Sequence, residues 1–262
     1  MGILQRILEA KRREIARLEL PRIEGTPQRR ELALRQPGRL ALIAEIKRRS
    51  PSAGQLSTQL SVAARARTYE RAGAAMVSVL CDREFFDGTH SHLREARDAC
   101  SLPLLCKDFI IDERQLRVAR AWGADAALLI VRCLTGSQTS ELVDQARACG
   151  LVPVVEVTTE EEAQVALDAG AEVIGVNTRN LDTLEMDAVR AHRVLESLPD
   201  TISRIHFSGL KSEEDVRGVA LTSADAALIG EALMRQDDPT RLLSAMVAAS
   251  RRRNAPFDDE AR

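Results

Sequence analysis

The sequence predicts an α/β protein built as a single (β/α)8 (TIM) barrel with an N-terminal helical extension. Eight short apolar runs recur at nearly even spacing along the 262 residues, as the buried strands of a parallel sheet require. The segments between these runs have the apolar spacing of covering helices. An open, doubly wound sheet is the rival fold, but the turn at residues 47–54 lacks the glycine-rich motif of dinucleotide sites.

An amphipathic helix is predicted before the first strand, because apolar residues recur at helical spacing between lysines and arginines. Its apolar residues are Ile3, Leu4, Ile7, Leu8, Ile15 and Leu18. Residues 21–38 carry prolines, glycines and many charges, which predicts a connecting loop. We expect residues 1–38 to cap the barrel, residues 39–250 to form it, and residues 251–262 to be a frayed, charged tail.

Strands and helices are predicted to alternate along the barrel. The predicted strands are residues 40–47, 76–80, 102–107, 126–131, 152–157, 173–177, 204–209 and 226–230. The predicted helices, each with a polar start and an apolar stripe, are residues 61–72, 89–99, 112–122, 137–149, 159–169, 187–197 and 212–220. Gly73, Gly123 and Gly170 fit helix ends that turn left-handed into the next strand.

Composition predicts one cytoplasmic domain with no nucleic-acid or membrane partner. The 37 basic and 39 acidic residues give a net charge of −2, which provides no general attraction to nucleic acid or acidic membranes. No apolar stretch approaches the roughly 20 residues that span a bilayer, and we expect no signal peptide. The five cysteines form no CxxC pair, so reduced, mostly buried thiols are favoured over disulfides or metal ligands.

Ionisable side chains stand at the ends of three predicted strands. Strand alternation points Glu45 and Lys47 the same way, and Lys107 and Glu156 end the third and fifth strands. In a barrel these ends share one rim, where chemistry collects. A solvated ion pair is the structural alternative for Glu45 and Lys47. Clustered charges nevertheless cost stability unless something polar binds between them, which indicates a functional site.

The turns after strands seven and eight predict a phosphate pocket. Gly209 follows Ser208 after the seventh strand, and Gly230 precedes Glu231 after the eighth. Glycines let the backbone approach an anion closely, and these two turns form the usual phosphate site of a barrel. The alternative is that each glycine merely satisfies the conformation of its turn.

Five segments, in order and spacing, resemble the indole-3-glycerol-phosphate synthase family. They are IAEIKRRSPS (43–52), KDF (107–109), VEV (155–157), GVNTRNL (175–181) and SG (208–209), and the resemblance runs from the N-terminal helix to about residue 239. It implies a metal-free, cofactor-free lyase of tryptophan biosynthesis. Such enzymes convert 1-(2-carboxyphenylamino)-1-deoxyribulose 5-phosphate into indole-3-glycerol phosphate, carbon dioxide and water.

The resemblance also implies roles for individual residues. Lys107 matches the general acid, Lys47, Glu45 and Glu156 would divide the acid and base roles of dehydration, and Asn177 would hold the substrate hydroxyls. The implied substrate-binding residues are Ser50, Pro51, Phe86, Phe109, Arg179, Ser208, Gly209 and Gly230. A phosphorylated small molecule is therefore the expected partner, with no nucleic acid or membrane, and the protein is either a monomer or a homodimer.

Phe207 is the main departure from the family pattern, which usually has glutamate before Ser208. Cys81, Ala53 and Thr178 are milder departures. Three functions therefore stay open: the standard synthase, a related decarboxylating cyclase for a modified anthranilate-derived substrate, and a non-catalytic protein that binds a phosphorylated ligand.

Overall fold

The structure, a computed structural model, describes residues 2–20 and 28–251. Eight parallel strands form a closed barrel, because the first strand pairs with both the second and the eighth. The strands are β1 Arg39–Ile46, β2 Met76–Leu80, β3 Leu104–Lys107, β4 Ala126–Ile130, β5 Val152–Val157, β6 Val173–Asn177, β7 Ser203–Phe207 and β8 Ala226–Ile229. The predicted fold class is confirmed.

Nine helices of eight or more residues lie within the described ranges. They are α1 Ile3–Ile15, α2 Val62–Arg71, α3 Ser91–Ala99, α4 Glu113–Ala121, α5 Gly136–Ala148, α6 Glu160–Asp168, α7 Ala188–Ser197, α8 Glu213–Ala220 and α9 Thr240–Ala249. Side chains of Asp112, Thr135 and Ser212 complete capping boxes at α4, α5 and α8, which fixes where these helices begin. No helix in this part of the chain is both long and apolar enough to cross a membrane.

Strand alternation produces two apolar layers. Side chains such as Ile43, Met76 and Phe207 fill the barrel interior. The larger layer lies between the strands and their covering helices, and it includes Cys81 and Cys106 at the ends of β2 and β3. The interior layer forms the floor of the barrel mouth.

Helix α1 lies over the mouth and differs from the predicted helix in one respect. Leu4 and Ile7 pack on the interior layer, as an apolar stripe predicts. Lys11, however, is completely buried and pairs with acidic side chains instead of facing water. The helix ends at Ile15, so Leu18 lies beyond it.

The predicted boundaries shift slightly for identifiable reasons. Strand β3 begins at Leu104 instead of residue 102, because Pro103 has no N–H for the sheet. Strand β7 ends at Phe207, since Ser208 and Gly209 adopt positive φ. Helix α9 was absent from the predicted helices. The predictions for residues 21–27 and 252–262 lie outside the described residues.

Two small elements are inserted on the mouth side of the barrel. Residues Arg49–Ser50 and Gly54–Gln55 form an antiparallel hairpin directly after β1. A short helix, Arg83–Phe86, follows β2, and its first turn is capped by the Asp82 carboxylate. These insertions carry Ser50, Pro51 and Phe86 to the mouth.

Candidate active site

The carboxyl ends of the strands open into a cavity of about 390 Å³. All the side chains predicted for catalysis or binding line it: Glu45, Lys47, Ser50, Pro51, Phe86, Lys107, Phe109, Glu156, Asn177, Arg179, Ser208, Gly209 and Gly230. They meet because parallel strands in a barrel end at the same rim. The structure therefore brings the whole predicted set together, while the role of each residue stays a prediction.

Lys107 at the end of β3 is held by a short chain of polar side chains. Its Nζ lies 3.3 Å from Glu156 Oε2. The other carboxylate oxygen of Glu156 accepts a hydrogen bond from Asn177 Nδ2 at 2.9 Å. Asn177 Oδ1 in turn accepts the backbone N–H of Arg179 at 3.0 Å, which fixes the orientation of the amide. Both oxygens of Glu156 are therefore occupied.

Glu45 and Lys47 form a second acid–base pair across the cavity mouth. Lys47 Nζ donates to Glu45 Oε1 at 2.6 Å. Burial of the Glu45 side chain is nearly complete, yet its Oε2 has no hydrogen-bonding partner among the residues the structure describes. One carboxylate oxygen therefore remains free to accept a proton, unlike either oxygen of Glu156.

Gly230 lies against this pair. A Cβ at that position would collide with the Glu45 carboxylate. Its φ of −121° is one that other residues adopt, so space rather than backbone conformation requires glycine here. The sequence predicted that the missing side chain admits phosphate, and that role stays a prediction; the structure shows that the missing side chain leaves room for Glu45.

An apolar wall stands opposite the charged groups. The rings of Phe86 and Phe109 lie 6.0 Å apart at an angle of 35°. Pro51 of the hairpin and Leu4 and Ile7 of α1 also line the cavity. This wall gives a flat aromatic ring a surface to stack on and keeps water from one side of the cavity.

The turn after β7 brings backbone to the rim. Ser208 and Gly209 have φ of +72° and +89°, the left-handed region that glycine tolerates best. A Cβ on Gly209 would lie 3.0 Å from the methyl group of Met186. Gly209 is therefore required by both its conformation and its neighbour.

Cationic groups also act on the carboxylate at the far rim. A hydrogen bond from Arg235 lowers the pKa of Glu231; partial burial opposes this shift, and the positive charges of Lys47 and Arg179 add to it. The fields of Lys47 and Arg179 therefore reach the rim formed by the turn after β8, where an anion would be attracted.

A family comparison decides the relationship. The model for indole-3-glycerol phosphate synthase matches residues 4–246. The chain belongs to this family.

Named relatives agree with this assignment. An indole-3-glycerol phosphate synthase of Kineococcus radiotolerans is 46% identical over 208 residues, which cover 79% of this chain and 76% of that protein. One of Mycobacterium ulcerans is 44% identical over 224 residues, covering 86% and 82%. The protein named indole-3-glycerol phosphate synthase 2 of Streptomyces coelicolor is 45% identical over 215 residues, covering 82% and 83%.

Solved structures share the fold at low sequence identity. A 3-hexulose-6-phosphate synthase has a TM-score of 0.64 and 17% identity, covering 80% of this chain and 99% of its own. A thiamine phosphate pyrophosphorylase from Pyrococcus furiosus has a TM-score of 0.60, also with 17% identity, and covers 81% and 96%. These similarities concern the barrel alone.

Phe207, which the sequence analysis singled out, lines the cavity. Its ring is 1% exposed and lies in the barrel interior, with Lys107 Nζ 5.2 Å from the ring centroid. A Cβ at Gly175 on the neighbouring strand would collide with the ring. Phe207 therefore fills the floor of the cavity and gives Lys107 an aromatic face as its second neighbour.

Several lining residues of this synthase-family site were missed from the sequence. The loop after β6 contributes Leu181, Leu184 and Met186 to the cavity. This loop folds back on itself, and Arg179 and Met186 form an isolated antiparallel β-bridge. The apolar character of the three residues in a polar connecting segment was the available signal. Lys211 and Ser52 also line the cavity, but single polar residues in turns give no such signal.

Proposed function

We propose that the protein is an indole-3-glycerol-phosphate synthase, a carbon–carbon lyase that closes the indole ring of tryptophan. The observation that carries this proposal is the pairing of two lysines with two carboxylates in one cavity with an aromatic wall. Ring closure, decarboxylation and dehydration need proton donors and an acceptor around a flat aryl group, and this arrangement supplies both.

Lys107 is the proposed acid of ring closure. The aryl carbon that bears the carboxylate attacks the sugar ketone, and the ketone oxygen takes up a proton as the new carbon–carbon bond forms. Loss of carbon dioxide then restores the aromatic ring. Glu156 and Asn177 support this role because they hold Lys107 Nζ at the rim through bonds that use both carboxylate oxygens.

Glu45 and Lys47 are the proposed base and acid of dehydration. The hydroxyl left by ring closure departs as water when Lys47 protonates it, and Glu45 accepts the proton released as the indole double bond forms. The unpartnered Oε2 of Glu45 supports this division of labour. Glu156 has no oxygen to spare, so it is proposed to position Lys107 and not to act as the base.

The remaining lining residues are proposed to bind the substrate. Phe86, Phe109 and Pro51 would stack on the anthranilate ring, and Arg179 would pair with its carboxylate. Ser50, Ser208, Gly209 and Gly230 surround the rim where phosphate is expected. Helix α1 would exclude water from the stacked ring.

The decisive experiment supplies 1-(2-carboxyphenylamino)-1-deoxyribulose 5-phosphate and follows indole fluorescence. We expect turnover with release of one carbon dioxide per indole-3-glycerol phosphate. Binding of the substrate without turnover would instead indicate a non-catalytic ligand-binding protein and contradict the proposal.

Two matched variants test the division of roles. In Glu45→Gln we expect carbon dioxide release to exceed indole formation, because dehydration loses its base. In Glu156→Gln both should fall together, since the acid of the first step is misplaced. Equal loss of both products in both variants would contradict the assignment of Glu45 to dehydration alone.

A second candidate is favoured by Phe207. Its buried ring occupies the end of β7, where the family resemblance implies a carboxylate. A related cyclase for a ring-substituted anthranilate is therefore an alternative within the same chemistry. Comparing kcat/KM for the standard and ring-substituted substrates decides it, and a preference for the standard substrate excludes the alternative.

We also propose that the protein acts in the cytoplasm. All five cysteines are unpaired, and free thiols persist in reducing compartments. Fractionation of cells that express the chain would test this location.

A further inference from the structure

Three metal-binding side chains converge behind Lys107. The sulfurs of Cys81 and Cys106 lie 3.6 Å apart. These atoms and a ring nitrogen of His90 all lie within 4.8 Å of one another. Both cysteines are buried in the layer between the strands and the helices. Two thiols and an imidazole at this spacing match the side chains that zinc prefers.

The Asp108 carboxylate lies beside His90, although the ligand atoms within 4.8 Å of one another come from Cys81, His90 and Cys106. Asp108 Oδ2 lies 3.6 Å from His90 Nε2, too far for a hydrogen bond. Neither atom makes a hydrogen bond to any described residue, although the Asp108 side chain is fully buried. A buried carboxylate oxygen without a partner is costly, and the positive charge of a cation bound by the neighbouring imidazole would reduce that cost.

The local backbone explains why these residues meet. Strands β2 and β3 are neighbours, and the Cys81 N–H donates to the Lys107 carbonyl at 3.0 Å. The chain then returns to the end of β2 at Gly88, where a Cβ would collide with the Leu80 carbonyl. This close return delivers His90, at the start of α3, to the two sulfurs.

We propose that Cys81, His90 and Cys106 bind one zinc ion. Two sulfurs bound to tetrahedral zinc at about 2.3 Å lie about 3.8 Å apart, close to the separation of the cysteines here. None of the three ligand residues lines the active-site cavity, so the ion is structural. It fastens the ends of β2 and β3 to α3 and thereby fixes the strand end that carries Lys107.

Neighbouring groups complete the site. Asp108 Oδ1 accepts from Lys11 Nζ and from the Phe109 N–H, both at 2.8 Å, which turns Oδ2 toward the imidazole. Two thiolates balance the dication, and the neighbouring Asp108 carboxylate is balanced by the buried Lys11 ammonium. This inference does not depend on the proposed function, because a structural ion takes no part in the reaction.

Metal content tests the proposal directly. The full chain is expressed with zinc in the medium, dialysed against buffer without metal, and analysed by mass spectrometry of the element. We expect about one zinc per chain. Cys81→Ser and Cys106→Ser should each reduce zinc at least tenfold, while Cys100→Ser, at another buried free cysteine, should retain it. Zinc retained in both ligand variants would overturn the proposal.

A second measurement on the unaltered protein keeps the test decisive if the serine variants do not fold. X-ray absorption of the zinc-loaded protein should show two sulfurs at about 2.3 Å and at least one nitrogen atom at about 2.0 Å. A chelator should also lower the melting temperature. A metal shell without sulfur, less than one zinc per ten chains, or a disulfide between Cys81 and Cys106 would each overturn the proposal.

Discussion

Lys11, which contacts Asp108, and Lys107, which precedes it in the sequence, show how burial and neighbouring charges determine the role of a charged side chain. Lys11 of α1 is fully buried, and its Nζ lies 2.8 Å from Asp108, 2.9 Å from Glu14 and 3.1 Å from Asp82. Lys107 is 18% exposed and has a single carboxylate at 3.3 Å, with an aromatic ring on its other side. Both lie at the same end of the barrel.

The difference separates a structural charge from a reactive one. Burial alone lowers the pKa of Lys11, but the charges of Asp108, Asp82 and Glu14 outweigh it and raise the pKa above its ordinary value. Because folding raises the pKa of Lys11, this lysine stays charged. Its contribution to the stability of the folded state therefore persists up to the ordinary lysine pKa and beyond it. Lys107 is not surrounded by three carboxylates in this way, and its side chain faces the cavity. This position suits its proposed role as the proton donor.

Replacing Lys107 should have the largest effect. Lys107→Ala should lower kcat by about 10²- to 10⁴-fold, as loss of a general acid does, with little change in KM. The urea midpoint should fall by less than in Lys11→Met, because the Glu156 carboxylate left behind keeps its hydrogen bond from Asn177. Steady-state kinetics with fluorescence detection measure the change, and near-normal kcat would place the acid elsewhere.

Replacing Lys11 should instead cost stability. Lys11→Met leaves the Asp82 and Asp108 carboxylates buried without their cation, and removing one partner of a buried pair costs about 3–5 kcal/mol. Urea unfolding measures this loss. Arg12→Met, at an exposed position on the same helix, is the control and should change stability by less than about 0.5 kcal/mol. Equal effects in the two variants would contradict the structural role of Lys11.

Gly230 tests whether the second acid–base pair needs its geometry. Gly230→Val should displace the Glu45 carboxylate and lower kcat by about 10²-fold, the effect of about 1 Å of misplacement. Gly218→Ala is the matched control, since a Cβ there meets nothing within 4 Å. It should stabilise α8 by about 0.5–1 kcal/mol and leave kcat unchanged. A rise in KM alone would favour a phosphate role for Gly230.

Phe207 should give the smallest of these effects. In Phe207→Glu the new carboxylate would be buried beside Lys107 and would compete with Glu156 for the ammonium, so we expect about tenfold lower turnover. Indole-3-glycerol phosphate formation is the measurement. A clear gain in activity would reverse this expectation and identify the native chain as an impaired synthase.

The barrel and its mouth were predictable because their signals are local and repeated. Each strand appears as an apolar run, and a closed parallel barrel then places all strand ends together whatever their separation along the chain. This reasoning sufficed for Glu45, Lys107 and Glu156. It also placed Glu45 and Lys47 on one face, where they form an ion pair of 2.6 Å.

The missed features depend on contacts between distant segments. The sequence predicts that Lys11 is a polar residue on the surface of a helix. Its burial depends on Asp82 and Asp108, which only the folded structure places beside it. Cys81 and Cys106 form no sequence motif, because neighbouring strands and a returning loop assemble their cluster. Helix α9 follows a charged segment after β8. It packs on the barrel, and the periodicity of its sequence alone does not reveal this contact.

The contact between Phe207 and Gly175 constrains how this sequence could have arisen. The phenyl ring occupies the volume that any side chain at position 175 would need. Phenylalanine at position 207 is therefore compatible with the fold only when position 175 is already glycine. With the ring in place, residue 175 cannot change from glycine until position 207 has first lost the ring.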